Sequence, residues 1–372
     1  LVSDAPLGVF LSGGIDSSAV VYFAKKHKPD LKTFSIGFKE KTFDESDYIK
    51  LAVKAIGSNH YHKEFGPKEM TDSLPEIFAK LDEPFGDPSL LPTFLLAKFA
   101  RGQVTVALGG DGGDELFMGY PNYKLQKFIQ MTGLRKIKIN DFFAKLLLKF
   151  FPASSENMAF SFVAQRAVMS GRFPAHLRDF AAVGGYHRLL KELFTFGKET
   201  ERELFYFANN FLKDYKDLDH LGKVALLFQK YYLSDNILFK ADRASMYSSL
   251  EERSPFLDCR LVDFANSLPH SLKLKGFNSK HILKKAMEGK LPSAIIHRKK
   301  KGFGIPLSAW LKNELKDFML ETLNEKNIKE IGFINNSIVR RLINDHLSGK
   351  MDNKKILWNL IVFTHWFKNN LI

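Results

Sequence analysis

Two rhythms of hydrophobic and polar positions run through the first 120 residues, and one of them carries on alone afterwards. A short apolar run at 7–11 closes on Ser12-Gly13-Gly14, and from Asp16 to Lys26 the apolar residues Ala19, Val20, Tyr22, Phe23 and Ala24 recur at helical spacing. This order predicts a strand, a loop and a helix. Residues 33–38 predict a second strand, 47–56 a helix with Tyr48, Leu51, Ala52 and Ala55 facing inward, and 59–65 an alternating third strand. Residues 92–100 read as a helix leading into a β-branched run at 104–108 that stops at Gly109-Gly110. Strands alternating with helices imply parallel βαβ units in a sheet covered on both faces. Beyond Tyr120 the pattern is helical, at 144–151, 203–215, 224–238 and 308–320, with no convincing strand. The expected fold class is α/β: a parallel-sheet core over residues 1–120, then a mostly helical half over 121–372 packed on it. No linker, repeat or low-complexity segment divides them, and residues 136–201 say little about function.

At 372 residues and 45% hydrophobic, the chain is long enough to bury a large core. A single cysteine, Cys259, excludes an internal disulfide and multi-cysteine metal sites, and points to a reducing compartment, the cytoplasm. Cys259 itself reads as a small buried hydrophobe. The start, Leu1-Val2-Ser3-Asp4, has an early acid and no basic region, so no signal peptide is expected. Without an initiator methionine, the chain is expected to begin inside a longer product. The longest apolar stretches, 142–151 and 356–367, are interrupted and fall short of the ~20 residues a membrane span needs. A net charge of +14 raises the question of nucleic acid, but the cations are dispersed and the densest run, His297-Arg298-Lys299-Lys300-Lys301, is short. A solvated surface, or a lining for a polyphosphate, is favoured over a nucleic-acid groove.

Ser12-Gly13-Gly14-Ile15-Asp16-Ser17 stands where the first strand becomes a helix. Adjacent glycines let backbone approach a ligand, and the helix start offers unpaired N–H groups at the positive end of its dipole. That is an anion site, to which Ser12, Ser17 and Ser18 add hydroxyls. Asp16 beside bound phosphates makes sense if it holds Mg²⁺. The loop lacks the lysine of G-x-x-x-x-G-K-[ST], so γ-phosphate transfer is not expected. A second loop, Gly109-Gly110-Asp111-Gly112-Gly113-Asp114-Glu115, follows the 104–108 strand and should lie at the same edge of the sheet. Its acids repel one another unless a cation sits among them. Asp114 is thus a second Mg²⁺ ligand, opposite Asp16, although a calcium loop competes. Asp111 remains for proton transfer, or only caps the following helix.

Ser-Gly-Gly-x-Asp-Ser after a strand is similar to the signature of ATP pyrophosphatases, which cleave ATP between the α- and β-phosphates. Together with Asp82-Glu83-Pro84, Lys240-Ala241-Asp242-Arg243, Glu251-Glu252-Arg253-Ser254-Pro255-Phe256-Leu257-Asp258 and Ser279-Lys280-His281-Ile282-Leu283, in this order, it makes the chain resemble the synthetase domain of glutamine-dependent asparagine synthetases. The resemblance runs to about Pro306. It implies an adenine nucleotide alpha hydrolase-like nucleotide-binding core, ATP as substrate with Mg²⁺, and asparagine formation through a β-aspartyl-adenylate that ammonia attacks. Residue by residue, Leu11, Ser12, Gly13, Gly14, Asp16, Ser17, Ile36, Gly109 and Gly110 would bind ATP or its pyrophosphate. Asp16 and Asp114 would hold the metal, while Asp111 and Lys280 would be catalytic, Lys280 reaching the phosphates. Without the resemblance, Lys280 reads as a solvated residue at a helix start.

The family's N-terminal glutaminase domain is absent from this chain, so the expected partners are a small carboxylate, aspartate, with ammonia or with glutamine handled by that domain. A homodimer is allowed; a membrane or nucleic-acid partner is not expected. Two features depart from the family. Asp111 stands where many members carry glutamate, and Pro88-Ser89-Leu90-Leu91 resembles a wider branch that includes amidotransferases of polysaccharide biosynthesis. Another carboxylate, such as a sugar acid or a β-lactam precursor, therefore stays open as the acceptor, as does a tRNA-modifying protein with the same loop. Arg253 with Glu251 or Asp258 reads as a buried ion pair or a substrate contact. The segment 299–301 reads as a loop closing over phosphates.

Overall fold

The computed structural model describes residues 3–38, 43–133, 168, 170–184, 186, 187, 189–196, 205–300, 302 and 304–371. The helix expected at 144–151 lies outside them. The chain divides into two compact units. One comprises Leu1–Gly66, Ser89–Lys127 and Val224–Ile305, the other Pro67–Pro88, Phe128–Lys223 and Pro306–Ile372.

The first unit is built on a five-stranded sheet, β1 (Leu7–Phe10), β2 (Lys32–Phe38), β3 (Asn59–Phe65), β4 (Val106–Leu108) and β5 (Glu251–Arg253), in the order β3-β2-β1-β4-β5. Every pairing is parallel. Leaving β1 the chain moves to one side of the sheet, and β4 returns on the other, with Leu7 opposite Val106 and Val9 opposite Leu108. The order thus reverses between β1 and β4, and the loops after these two strands open a crevice at their carboxyl ends. Leu7, Val9, Val106 and Leu108 are buried with Ala19, Val20, Val21 and Ala24 of helix α1 (Ile15–His27) in one apolar cluster that also takes in Phe117, Phe256, Leu283 and Ile295. Burying each such side chain contributes about 1.5–3 kcal/mol. On helix α2 (Ser46–Ile56) the buried residues are Ile49 and Ala52, while Tyr48 and Ala55 are exposed. The buried stripe is thus turned from the expected one, and the exposed Tyr48 ring carries the Arg298 guanidinium instead.

Four of the expected strands are present; β5 was not expected. Its three residues, Glu251, Glu252 and Arg253, carry no apolar signal, and it is held by backbone bonds from Glu251 N–H to Thr105 O (2.9 Å) and Gly109 N–H to Arg253 O (2.8 Å). An edge strand needs one partner only. Between β2 and β3, side chains form a polar ladder: Thr33 Oγ1 bonds Ser58 Oγ (2.9 Å) and His60 Nδ1 (3.0 Å), and Ser35 Oγ bonds His60 Nε2 (3.0 Å) and His62 Nδ1 (2.7 Å).

The second unit is helical among its described residues. Its longest helix, Lys354–Leu371, buries Leu357, Trp358 and Ile361, and His365 stacks on Phe78 with ring centroids 4.7 Å apart. The helix expected at 308–320 is two, Leu307–Trp310 and Lys316–Thr322, split where Leu315 N–H bonds the Trp310 carbonyl (2.7 Å). The region 203–215 is helical over Tyr206–Phe211 and then tightens to a 3₁₀ turn. His220–Leu227 is α-helical, and Phe228–Leu238 follows as wider π turns, a form common at functional sites. Among the described residues no helix is long and apolar enough to cross a membrane.

Candidate active site

The turn from β1 to α1 forms as its sequence dictates. Gly13 adopts φ +69°, where the backbone of Tyr48 leaves no room for a side chain. Ser17 Oγ accepts from Ser12 N–H (3.2 Å) and shares a bond with Ser12 Oγ (3.1 Å), which closes the loop on itself. No side chain caps the start of α1, which leaves its first N–H groups without a side-chain acceptor. Ser12, Gly14, Ile15 and Asp16 line one cavity together with Glu45, Gly119, Lys280, Lys284, Arg298 and Lys300.

Opposite charges meet in this cavity. The Lys280 ammonium is ion-paired with Asp16 and, at 2.5 Å, with Asp114 Oδ1, all three side chains being nearly inaccessible to water. Lys300 Nζ, a third exposed, pairs with Asp114 Oδ2 at 2.5 Å. Burial pushes the Asp114 carboxyl up, yet the two lysines outweigh it and hold it down at about 2. For Asp16 burial wins, helped by the Asp114 charge, and its pKa is raised. Burial pulls the Lys300 ammonium down, but Asp114 and Asp16 more than reverse this and hold it well above its usual range. Glu115 is pushed up to about 7 by burial and then by Asp114, against a hydrogen bond donated by the Tyr120 hydroxyl (2.6 Å).

Lys280 takes a left-handed backbone, φ 54°, at the start of helix His281–Met287, and its N–H donates to Phe117 O (3.1 Å). Such a conformation costs a non-glycine residue on the order of 1 kcal/mol and persists because its surroundings demand it. Gly119 makes the room: a β-carbon there would collide with Asp114 Oδ1 and the Lys280 side chain. Arg298 anchors the basic run, donating to Ser12 O (3.2 Å), pairing with Glu45 and lying over the Tyr48 ring at 4.2 Å. Of the segment 299–301, Lys299 and Lys300 line the cavity, while Lys301 lies outside the described residues.

Ser12, Gly14, Asp16 and Lys280 thus share one cavity, and Asp114 reaches it through its ion pairs. Gly110 backs directly onto Ser17 and Asp16. Leu11, just past β1, and Ile36, within β2, are buried, Leu11 N–H donating to Phe34 O (2.9 Å). Asp111 and Gly109 do not line the cavity; they face Glu252, which the sequence motif contains but assigns no role. Glu45 and Tyr120 carry no sequence signal that would have found them. Arg253 pairs with Glu251 (2.6 Å) on the surface rather than in the interior, because β5 turns these two positions outward, and Asp258 pairs with Arg260 (2.9 Å) at the start of the next helix. Cys259 is exposed, at the first turn of a surface helix, and not a core residue.

An open parallel sheet whose order reverses beside a glycine loop and an uncapped helix start defines an α/β protein of the nucleotide-binding kind. The asparagine synthase family profile matches residues 1–368, and the chain belongs to that family. It is similar to asparagine synthetase [glutamine-hydrolyzing] 1 of Bacillus subtilis, 34% identical over 99% of this chain and 57% of the relative. It is also similar to a putative asparagine synthetase [glutamine-hydrolyzing] of Mycobacterium tuberculosis, 31% identical over 98% of this chain and 54% of the relative. A more distant relative is the amidase chyE of Penicillium rubens, 23% identical over 90% of this chain and 54% of the relative. The chain spans a little over half the length of the curated relatives it matches.

Proposed function

We propose that this chain is the synthetase part of an amide ligase that activates a carboxylate with ATP as an acyl-adenylate, releases pyrophosphate, and passes the acyl group to ammonia. Aspartate, through its β-carboxylate, is the acceptor we favour, and glutamine is the ultimate nitrogen source through a separate glutaminase part. The observation that carries this reading is the cavity in which Asp16, Asp114, Lys280 and Lys300 converge on the Ser12–Gly14 turn. Four charged groups on a helix start suit a polyphosphate, whose charge moves onto pyrophosphate as it leaves.

The donor set also suits Mg²⁺. Asp16 and Asp114 offer hard carboxylate oxygens, and Asp16 Oδ1 is buried without a hydrogen-bond partner. The Lys280 ammonium already bridges the two as a cation. Magnesium takes one or two carboxylates plus substrate phosphates, so Asp16 and Asp114 would hold it, and it would neutralise phosphate charge when bound. Lys280 and Lys300 stabilise the departing pyrophosphate, the uncapped start of α1 binds phosphate oxygens, and Asp111 accepts the proton that ammonia loses.

Replacing Asp16 by Ala is expected to lower carboxylate-dependent pyrophosphate release by at least about a hundredfold, the scale of losing one preorganised charge partner. Undiminished release by that variant in a coupled pyrophosphate assay sinks the assignment. Release with a sugar acid, and silence with aspartate, would keep the chemistry and change the acceptor.

A further inference from the structure

Beside the second loop the structure holds a pair of acids that the phosphate chemistry does not use. A β-carbon built on Gly109 would press against Glu252 Oε1 and lie 3.0 Å from Asp111 Oδ2, so the two carboxyl groups crowd the same point. Backbone bonds on both sides of Glu252 fix it there: Glu251 N–H to Thr105 O, and Gly109 N–H to Arg253 O. In the parallel register Glu252 stands opposite Ala107, two residues before Gly109, and its neighbours Glu251 and Arg253 turn to the other side.

We infer that Glu252 is a positioning residue for Asp111, its carboxyl supplying the proton that bridges the two groups and so fixing Asp111 as the acceptor at the acyl-transfer step. This rests on the amide-forming reading above.

Two carboxylates in contact cannot both be ionised, so one proton stays between them. It sits on Glu252. Burial, and next the Asp111 charge and their hydrogen bond, push the Glu252 carboxyl well above its usual range, against Lys240 as the cation facing it. Its second oxygen, Oε2, is buried without a hydrogen-bond partner, which a neutral carboxyl tolerates far better than an ionised one. A neutral Glu252 donates to one oxygen of Asp111 and leaves the other as a base. In the transfer the ammonia lone pair forms the carbon–nitrogen bond, and the carbon–oxygen bond to the adenylate breaks with its electrons leaving on AMP. The proton shed by nitrogen passes to Asp111 and on to solvent.

Infrared difference spectroscopy on the full chain tests the pair directly. A protonated-carboxyl component assignable to Glu252, beside those of the other buried acids, is expected at neutral pH and should be missing from Glu252→Gln in the wild-type-minus-variant spectrum; a difference spectrum without that component overturns the inference whatever the reaction proves to be. Kinetics with ammonium as nitrogen donor test its role. Glu252→Ala is expected to lower amide formation about tenfold to a hundredfold, toward the low end of what a general base contributes. Carboxylate-dependent ATP–pyrophosphate exchange should stay within about threefold, and Glu252→Gln, whose amide still donates to Asp111, should restore most of the amide formation. Exchange and amide formation falling together in Glu252→Ala would make Glu252 merely structural. Wild-type chain that exchanges pyrophosphate with no carboxylate sinks the amide-forming reading itself, and with it this role, while the infrared result still decides the shared proton.

Discussion

Taking away the Lys280 ammonium leaves Asp16 and Asp114 buried side by side with Lys300 as their remaining cation. Lys280→Met is therefore expected to destabilise the fold by about 3–5 kcal/mol, the cost of breaking a buried ion pair from one side. Urea denaturation followed by circular dichroism measures it, and a loss under 1 kcal/mol would mean the cluster is hydrated. The two acids were legible from their loops, since glycines around carboxylates at strand ends have little other use. Lys280 was legible only through resemblance, because it lies 264 residues from Asp16 and no local pattern marks it. Its place on the carboxylates, rather than toward phosphate alone, comes from the fold. Glu252 was hidden for a different reason: in a row of charged residues, nothing says which one turns inward.

At the level of elements, strands with apolar runs announced themselves and β5 did not, since three charged residues at a sheet edge are recruited by β4's open backbone. The ladder between β2 and β3 carries its own prediction. Burial, then the neighbouring His62, lowers the His60 pKa from 6.5 to about 4. The folded form therefore binds fewer protons than the unfolded one between these values, so stability is complete above pH 6.5 and declines as pH falls through 4. Because the ring is partly open to solvent, the loss should be about 1–2 kcal/mol rather than the full linkage value. Denaturant midpoints across this range should flatten in His60→Gln; an unchanged slope would assign the pH dependence to other groups.

For the molecule as a whole, the net charge of +14 is partly explained by where the basic run goes: Arg298, Lys299 and Lys300 line the cavity. Ligand that binds only the native state at a hundred times its Kd adds about 2.7 kcal/mol. Magnesium with ATP is thus expected to raise the Tm by a few degrees, and Asp16→Ala to abolish the shift in a thermal-melt assay. A shift equal in both proteins would place the nucleotide elsewhere.

The distance in sequence between the acids and their cations also bears on biosynthesis. A ribosome delivers β1, α1 and both acidic loops long before Lys280 and Lys300 exist, so for most of translation Asp16 and Asp114 have neither cation. The sheet likewise waits for its fifth strand. Closure of this crevice is accordingly a late, high-contact-order event, and nascent chains stalled before residue 280 should be protease-sensitive at loops whose acids the finished protein buries.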